Sequence, residues 1–340
     1  MKDTLLFIAK RLAWSVFVLF GLSILIFCIA RIIPGDPAVM ALGSRATPEA
    51  LEQYRLDNHL YESLPTQYFY WLKGAIQGNF GVSTQTRRDV AQDIREFLPA
   101  TLELILFAAI LEIFGGILLG ALSARYSGGW LDNTVRVTSY LGIATPAFVW
   151  AILFMLIFAY LWQILPAIGR IDMAKPAFVS GFLLIDSILA GNEAAFWDTF
   201  KHLLMPGTAL ALAGAAQAAR ITRTSMVETM NKDYIGSEIA AGIPMRRVIM
   251  QYALRPSATP TISIIALDVA AMLGNAFLVE VIFNFPGISK YGINAILNKD
   301  LNAIVAVVLV IGLTFLIVNI LVDIIATYLD PRIRLQGGGN

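Results

Sequence analysis

Six stretches of this chain, residues 12–33, 101–124, 137–162, 203–224, 258–282 and 303–328, are each apolar over the length of a lipid bilayer. A helix needs about 20 such residues to cross the hydrocarbon core. Inside lipid every backbone N–H and C=O must find its partner within the protein, so runs of this kind fold as helices. The fold class expected is an all-α integral membrane protein with six transmembrane helices. Composition points the same way: 57% of residues are hydrophobic and 14% charged, whereas soluble domains carry about 25% charged residues. The first stretch follows Lys10-Arg11, as a signal peptide would. Its apolar core is too long for one and no small-x-small cleavage site follows, so it is read as a retained helix.

Orientation follows from Lys and Arg in the short loops, which collect on the cytoplasmic side. Lys2, Lys10 and Arg11 precede the first span, and Arg125 and Arg136 flank the connection between the second and third. Arg220, Arg223, Lys232, Arg246, Arg247 and Arg255 surround the connection between the fourth and fifth, and Arg332 and Arg334 follow the sixth. The opposite side holds Arg170, Lys175, Lys201, Lys290 and Lys299. Both termini are therefore expected in the cytoplasm, with the long 34–100 connection outside. In that connection Thr47 suits an N-cap, Pro48 the first helical position and Glu49 the helix dipole. QYFYWLKGAI (67–76) and VAQDIREFL (90–98) carry apolar residues at helical spacing, and Tyr68, Tyr70 and Trp71 fit an interfacial aromatic belt.

Catalytic patterns are missing. The histidines, His59 and His202, lie outside the spans or at the edge of one, and Cys28 sits in an apolar run. There is no H-E-x-x-H, no Cys-x-x-Cys and no G-x-x-x-x-G-K-[ST]; GISKYG (287–292) lacks that spacing. No metal and no cofactor are expected on this chain, and it is not expected to be an enzyme. Glu103, Glu112, Asp268, Glu280 and Asp323 fall in or at the ends of spans. A carboxylate at mid-bilayer costs about 2.5–3.5 kcal/mol on insertion scales and so usually faces a cavity or a partner. Glu103, Glu280 and Asp323 are close enough to span ends to reach the interface. Asp268 is not, and with Ala271, Gly274 and Asn275 it forms the candidate lining of a path through the membrane.

DYIGSEIAAGIPMRRVIMQYALRPSATP (233–260) interrupts this oily chain with a polar element. Ile235, Ile239 and Ile243 recur every four residues, Gly242 breaks the pattern and Pro244 can start a second helix. On that second helix Met245, Val248, Ile249, Tyr252 and Ala253 make an apolar face, with Arg246, Arg247 and Gln251 opposite. Two short helices about a glycine form a knob, suited to a groove on a partner protein or to the lipid surface.

Gly242 with the downstream ALRPSATP resembles the coupling motif of binding-protein-dependent ABC importer permeases, and the resemblance covers nearly the whole chain. RIIPGDP (31–37), QGNFGVS (77–83), LPATLEL (98–104), ATPAFVW (144–150), HLLMP (202–206), VEVIFNFPGISKYG (279–292) and DPRIR (330–334) fall in the order of the peptide/nickel branch, first-permease type. Gly236-Ser237-Glu238 stands where the general pattern has Glu-Ala-Ala, and Thr259 where a leucine is usual. The resemblance implies the type I ABC importer architecture in a bacterial inner membrane. Its domains would be 1–33 (first helix), 34–100 (outer loop with short helices), 101–330 (core, with coupling segment 232–256) and 331–340 (tail).

The same resemblance implies that Ile235, Ser237, Glu238, Ile239, Ala240, Gly242, Ile243, Arg246 and Arg247 dock on an ATPase subunit. The implied partners are a second homologous permease, two ATPase subunits carrying ATP and Mg²⁺, and an extracytoplasmic solute-binding protein. The cargo would be peptides or related solutes. Composition alone also admits a secondary transporter, a channel or a scaffold, though no clear internal repeat of the transporter kind is present. The threading has a direct check. With Cys28→Ser as background, single cysteines at Ser44 and Ser237 should differ in spheroplasts: an impermeant maleimide labels position 44 and spares 237. Equal labelling, or labelling of 237 alone, contradicts the orientation.

Overall fold

The computed structural model describes residues 2–32, 36–43 and 45–329. Residues 33–35 of RIIPGDP, Ser44, DPRIR and the tail through residue 340 lie outside the described residues, as do the side chains of Lys2, Lys10, Arg11 and Asp323. Among the described residues the regular structure is helical, and extended chain pairs only at one isolated bridge, Val82 with Asp89. The chain sorts into two compact units, residues 1–101 with 286–317, and residues 102–285 with the chain from Val318 onward. The sequence-based division differs, because it keeps 286–317 with the core.

In the first unit α1 (Lys2–Ile32) is followed by α2 (Pro37–Leu42), α3 (Pro48–Asp57) and α4 (Leu64–Ile76). Thr47 caps α3 through Ala50 N–H at 3.3 Å, with Pro48 in the first turn. Asp36 caps α2, and the Arg55 guanidinium bonded to it holds its carboxyl below the usual carboxylate range. Of the α4 aromatics, Tyr68 and Trp71 pack on α1. The Tyr68 and Ser23 hydroxyls are 2.7 Å apart, and the Phe27 ring lies 5.3 Å from Tyr68 and 5.6 Å from Trp71. Tyr70 stacks on His59. The apolar start of α5 (Val90–Arg125) meets α13 (Ile288–Leu297) and the start of α14 (Leu301–Leu329) in a core that holds Val90, Ile94, Ile288, Tyr291 and Val307. Tyr291 donates to the buried Asp93 at 2.9 Å, and Ser83 to Asp300 at 2.5 Å.

The second unit is organised about α9 (Glu193–Met230), against which α6 (Trp130–Ala144), α7 (Ala147–Phe154), α8 (Leu183–Leu189) and α12 (Arg255–Ile282) all pack. Its sequence, ALALAGAAQAAR over 209–220, is nearly all small side chains. They let α5 come very close: a Cβ at Gly116 would lie 2.5 Å from that of Ala218, and one at Gly120 only 2.5 Å from that of Thr222 and 2.6 Å from the Ala219 carbonyl oxygen. Small residues spaced four apart are how helices associate where lipid supplies no hydrophobic drive between them. Two ion pairs brace this packing. Arg223 of α9 holds the buried Asp132 of α6 with Nε at 2.5 Å and a terminal nitrogen at 2.8 Å, and Ser123 and Gly128 N–H complete the carboxylate's shell. Arg170 donates to Glu103 and to the Gly181 carbonyl oxygen, while Glu103 also accepts Leu184 N–H. Glu103 therefore does not reach for the interface. It is 4% exposed and pins the 163–182 loop.

Among the described residues three helices are long and apolar enough to cross a membrane, Val90–Arg125, Met245–Ile282 and Leu301–Val322. The expected span 137–162 is not one straight helix. α6 and α7 meet at 107°, and α7 continues as a π-helical stretch, Met155–Leu161. The cause is local: Thr145 precedes Pro146 and takes extended angles (φ −102°, ψ 121°), since a residue before proline is disfavoured in the helical region. In α1 the apolar described part runs over Ala13–Ile29.

The close approach at Gly120 makes a clean stability test. Gly120→Val should destabilise the purified protein by roughly 1–3 kcal/mol through overpacking, seen as a lower detergent melting temperature. Gly236→Ala, at a helical position with open space around it, should not lower that temperature, since alanine is the better helix former.

Candidate functional site

Between α5, α9, α12 and the α6–α7 bend lies a cavity of about 500 Å³. Each helix supplies one face at helical spacing. From α12 come Asp268, Ala271 and Asn275, with Gly274 beside them; from α9 come Leu210, Ala213, Gly214 and Gln217; from α5 comes Glu112. Thr145, Pro146 and Phe148 close it from the bend, so the proline that breaks the third span also shapes this wall. The residues expected along a path, Asp268, Ala271, Gly274 and Asn275, thus all line one cavity.

Its chemistry is acidic within an apolar frame. Glu112 is fully buried and neither of its oxygens has a hydrogen-bond partner; Asp268 Oδ2 is likewise unpartnered. Gly214 is the reason Glu112 fits, because a Cβ there would lie 2.5 Å from the Glu112 carboxyl carbon. Gln217, Asn275 and Thr145 add neutral polar groups, and no Lys or Arg is among the lining residues. A buried carboxylate without a partner is costly, so two of them facing one space make it a place that favours positive charge. Nothing in the lining pairs a nucleophile with a base.

Sequence reasoning weighed Glu112 as a membrane carboxylate but did not place it in the site, and it missed Gln217. The signal for Gln217 was present, as the one amide among the small residues of 209–219.

The 233–260 segment forms the expected pair of helices. α10 (Asp233–Ala240) ends in a glycine turn, with Gly242 N–H bonded to the Ile239 carbonyl at 3.0 Å and Ile243 N–H to that of Glu238 at 3.2 Å. Gly242 has φ +78° in open space, so what requires glycine there is backbone conformation and not room. Pro244 then leads into α11 (Met245–Arg247), which continues through a π-helical stretch, Val248–Leu254, into α12. Val248, Ile249 and Ala253 are buried, and Arg246, Arg247 and Gln251 are exposed, as their pattern predicts.

The isoleucine stripe needs correction as a single outward surface. Ile235 is fully buried among Met226, Val248, Ile249 and Ala253 of the chain's own core, and Ile243 is half-buried against the same cluster. An eight-residue helix makes few bonds of its own and needs such an anchor. The face left outward holds Ser237, Ile239, Ala240, Gly242, Arg246 and Arg247, with Glu238 half-exposed.

Comparison with known proteins adds a separate line of evidence. Residues 116–335 match the family described as "Binding-protein-dependent transport system inner membrane component", and residues 4–105 match its N-terminal counterpart. The chain is 35% identical over 334 residues to the probable D,D-dipeptide transport system permease protein DdpB of Escherichia coli K12, covering 97% of this chain and 98% of that protein. It is 35% identical to the dipeptide transport system permease protein DppB of Alkalihalophilus pseudofirmus, covering 96% and 98% of the two chains. The di/tripeptide transport system permease protein DppB of Pseudomonas aeruginosa is 34% identical, with 97% and 99% covered.

Proposed function

This chain belongs to the family of binding-protein-dependent transport system inner membrane components, and on that premise we propose that it forms half of the solute pathway of an ATP-driven peptide importer. It is a multi-pass permease subunit of the inner membrane and not an enzyme. In the proposed assembly it pairs with a second, homologous permease and receives solute from an extracytoplasmic binding protein. Two ATPase subunits hold the ATP and Mg²⁺, which this chain is not proposed to bind. Six spans with both termini in the cytoplasm complete the reading. α1 and α9, at 31 and 38 residues, extend about 46 and 57 Å at the helical rise of about 1.5 Å per residue, ample for a core of about 30 Å.

The observation that carries the proposal is the acidic cavity. Asp268, Ala271 and Asn275 turn toward it from α12 and Glu112 from α5, so the space is suited to a solute with a positive end. A peptide amino terminus is such a group. The knob at 233–254 supports the coupling role: its exposed face carries Ser237, Ile239, Ala240, Arg246 and Arg247, while Ile235 anchors it to α9 from below. Closure of the ATPase pair on ATP would move this knob as a body, and α12 with it, because the π-helical stretch joins the two without a loop.

Asp268→Asn keeps the shape of the side chain and removes its charge. In the reconstituted transporter it should reduce uptake of peptides with a free amino terminus by about tenfold, the effect of about 1.4 kcal/mol, and spare N-acetylated analogues that the binding protein still delivers. Unchanged uptake of every solute would contradict a path through this cavity; equal loss for all with poor assembly would assign Asp268 to subunit packing.

A further inference from the structure

Outside the cavity, the first turns of α9 and the loop before α8 bring together Asp172, Asp198 and His202, one ligand atom from each lying within 4.8 Å of the others. Asp198 and His202 are four apart on α9 and so share a face. Asp172 comes from the 163–182 loop and is held there by Asp198, whose Oδ2 accepts Asp172 N–H at 2.8 Å and Met173 N–H at 3.1 Å. A loop 26 residues upstream of Asp198 is thus tied to the face of α9 that carries Asp198 and His202, through main-chain bonds at Asp172 and Met173.

The imidazole is the informative member. Its side chain is 1% exposed. Nδ1 lies 2.8 Å from the Asp198 carbonyl oxygen, an acceptor only, so Nδ1 carries the proton in that bond. In the neutral ring Nε2 is then the atom with the free lone pair. Nε2 is buried, has no hydrogen-bond partner, and points to Asp172 Oδ1 at 3.5 Å. A buried, unpartnered nitrogen aimed at a carboxylate across that gap fits the edge of a coordination polyhedron: ligands about 2.1 Å from a tetrahedral ion lie about 3.4 Å apart. A ring nitrogen held in one tautomer by a carbonyl is also the usual outer-shell arrangement for a metal-bound histidine.

We propose that Asp172, Asp198 and His202 form a binding site for a zinc-class divalent cation. One imidazole and two carboxylates give a mixed nitrogen and oxygen set that suits Zn²⁺ or Co²⁺ and leaves a fourth position for water. Two negative charges match the ion's two positive ones. Asp172, 75% exposed, is the ligand free to close onto the metal, and in doing so it ties the 163–182 loop to α9. The site is independent of the transport cavity, since none of its residues lines that space.

The test uses the complete transporter in detergent, stripped of metal with a chelator and titrated by calorimetry with Zn²⁺, then with Co²⁺ followed by visible absorption. Wild type should bind one more ion per permease than Asp172→Asn at low concentration, with that site weakened at least about tenfold in the variant. Co²⁺ should give the intense bands of a four-coordinate ion in wild type and lose them in His202→Gln. Because Asp172 is exposed, Asp172→Asn tests the proposal even if the buried His202→Gln fails to assemble. Equal stoichiometry and affinity in wild type and Asp172→Asn, or no Zn²⁺ bound by the wild-type permease, would overturn it.

Discussion

Everything in the second unit depends on how closely α5 and α9 approach. In water two helices are driven together by the apolar surface they hide; in lipid that drive is absent and contact must come from fit. Gly116 and Gly120 supply the fit, with space at each position too small for one more carbon against Ala218, Ala219 and Thr222. The same run of small residues on α9 decides where the cavity is. Gly214 admits the Glu112 carboxylate, and Ala213 with Ala271 and Gly274 leave the volume open.

Buried charge then divides into two kinds. Asp132 and Glu103 are enclosed and satisfied, each by an arginine, a backbone N–H and, for Asp132, a serine hydroxyl. Breaking such a pair by removing one partner leaves an uncompensated charge, so these residues are read as braces, Asp132 in the first turn of α6 and Glu103 within α5. Glu112 and Asp268 Oδ2 are left without partners and face the same space. That contrast, within one small bundle, separates structural carboxylates from those a solute can meet. It supports the assignment of the cavity, not the exposed loops, to the proposed pathway.

Much of this could be read from residues in order. The α3 cap at Thr47, the helix starting at Val90 and the glycine turn at Gly242 are local, fixed by a few neighbours along the chain. The α12 lining was legible because Asp268, Ala271 and Asn275 share a helical face, and periodicity reports faces. It does not report what stands opposite, so Gln217 went unnoticed and Glu112 went unassigned. Hydropathy counts residues without seeing direction, and 137–162 therefore passed for one span although Pro146 turns it by 107°. Ile235 lies on the same stripe as Ile239 but faces the chain's own Met226 and Val248, a choice made by packing. Asp172, Asp198 and His202 meet only because a loop folds back on α9.

The proposed pathway implies that this cavity opens to the two sides of the membrane in turn as the partner ATPase cycles. The direct measurement is reactivity of a single cysteine at Ala271, in a Cys28→Ser background of the assembled transporter in proteoliposomes, toward a membrane-impermeant maleimide applied from either side. The account predicts labelling from one side in the resting state, from the other with the ATPase held in its ATP-bound form, and protection by transported peptide. Labelling that ignores both nucleotide state and peptide would contradict it.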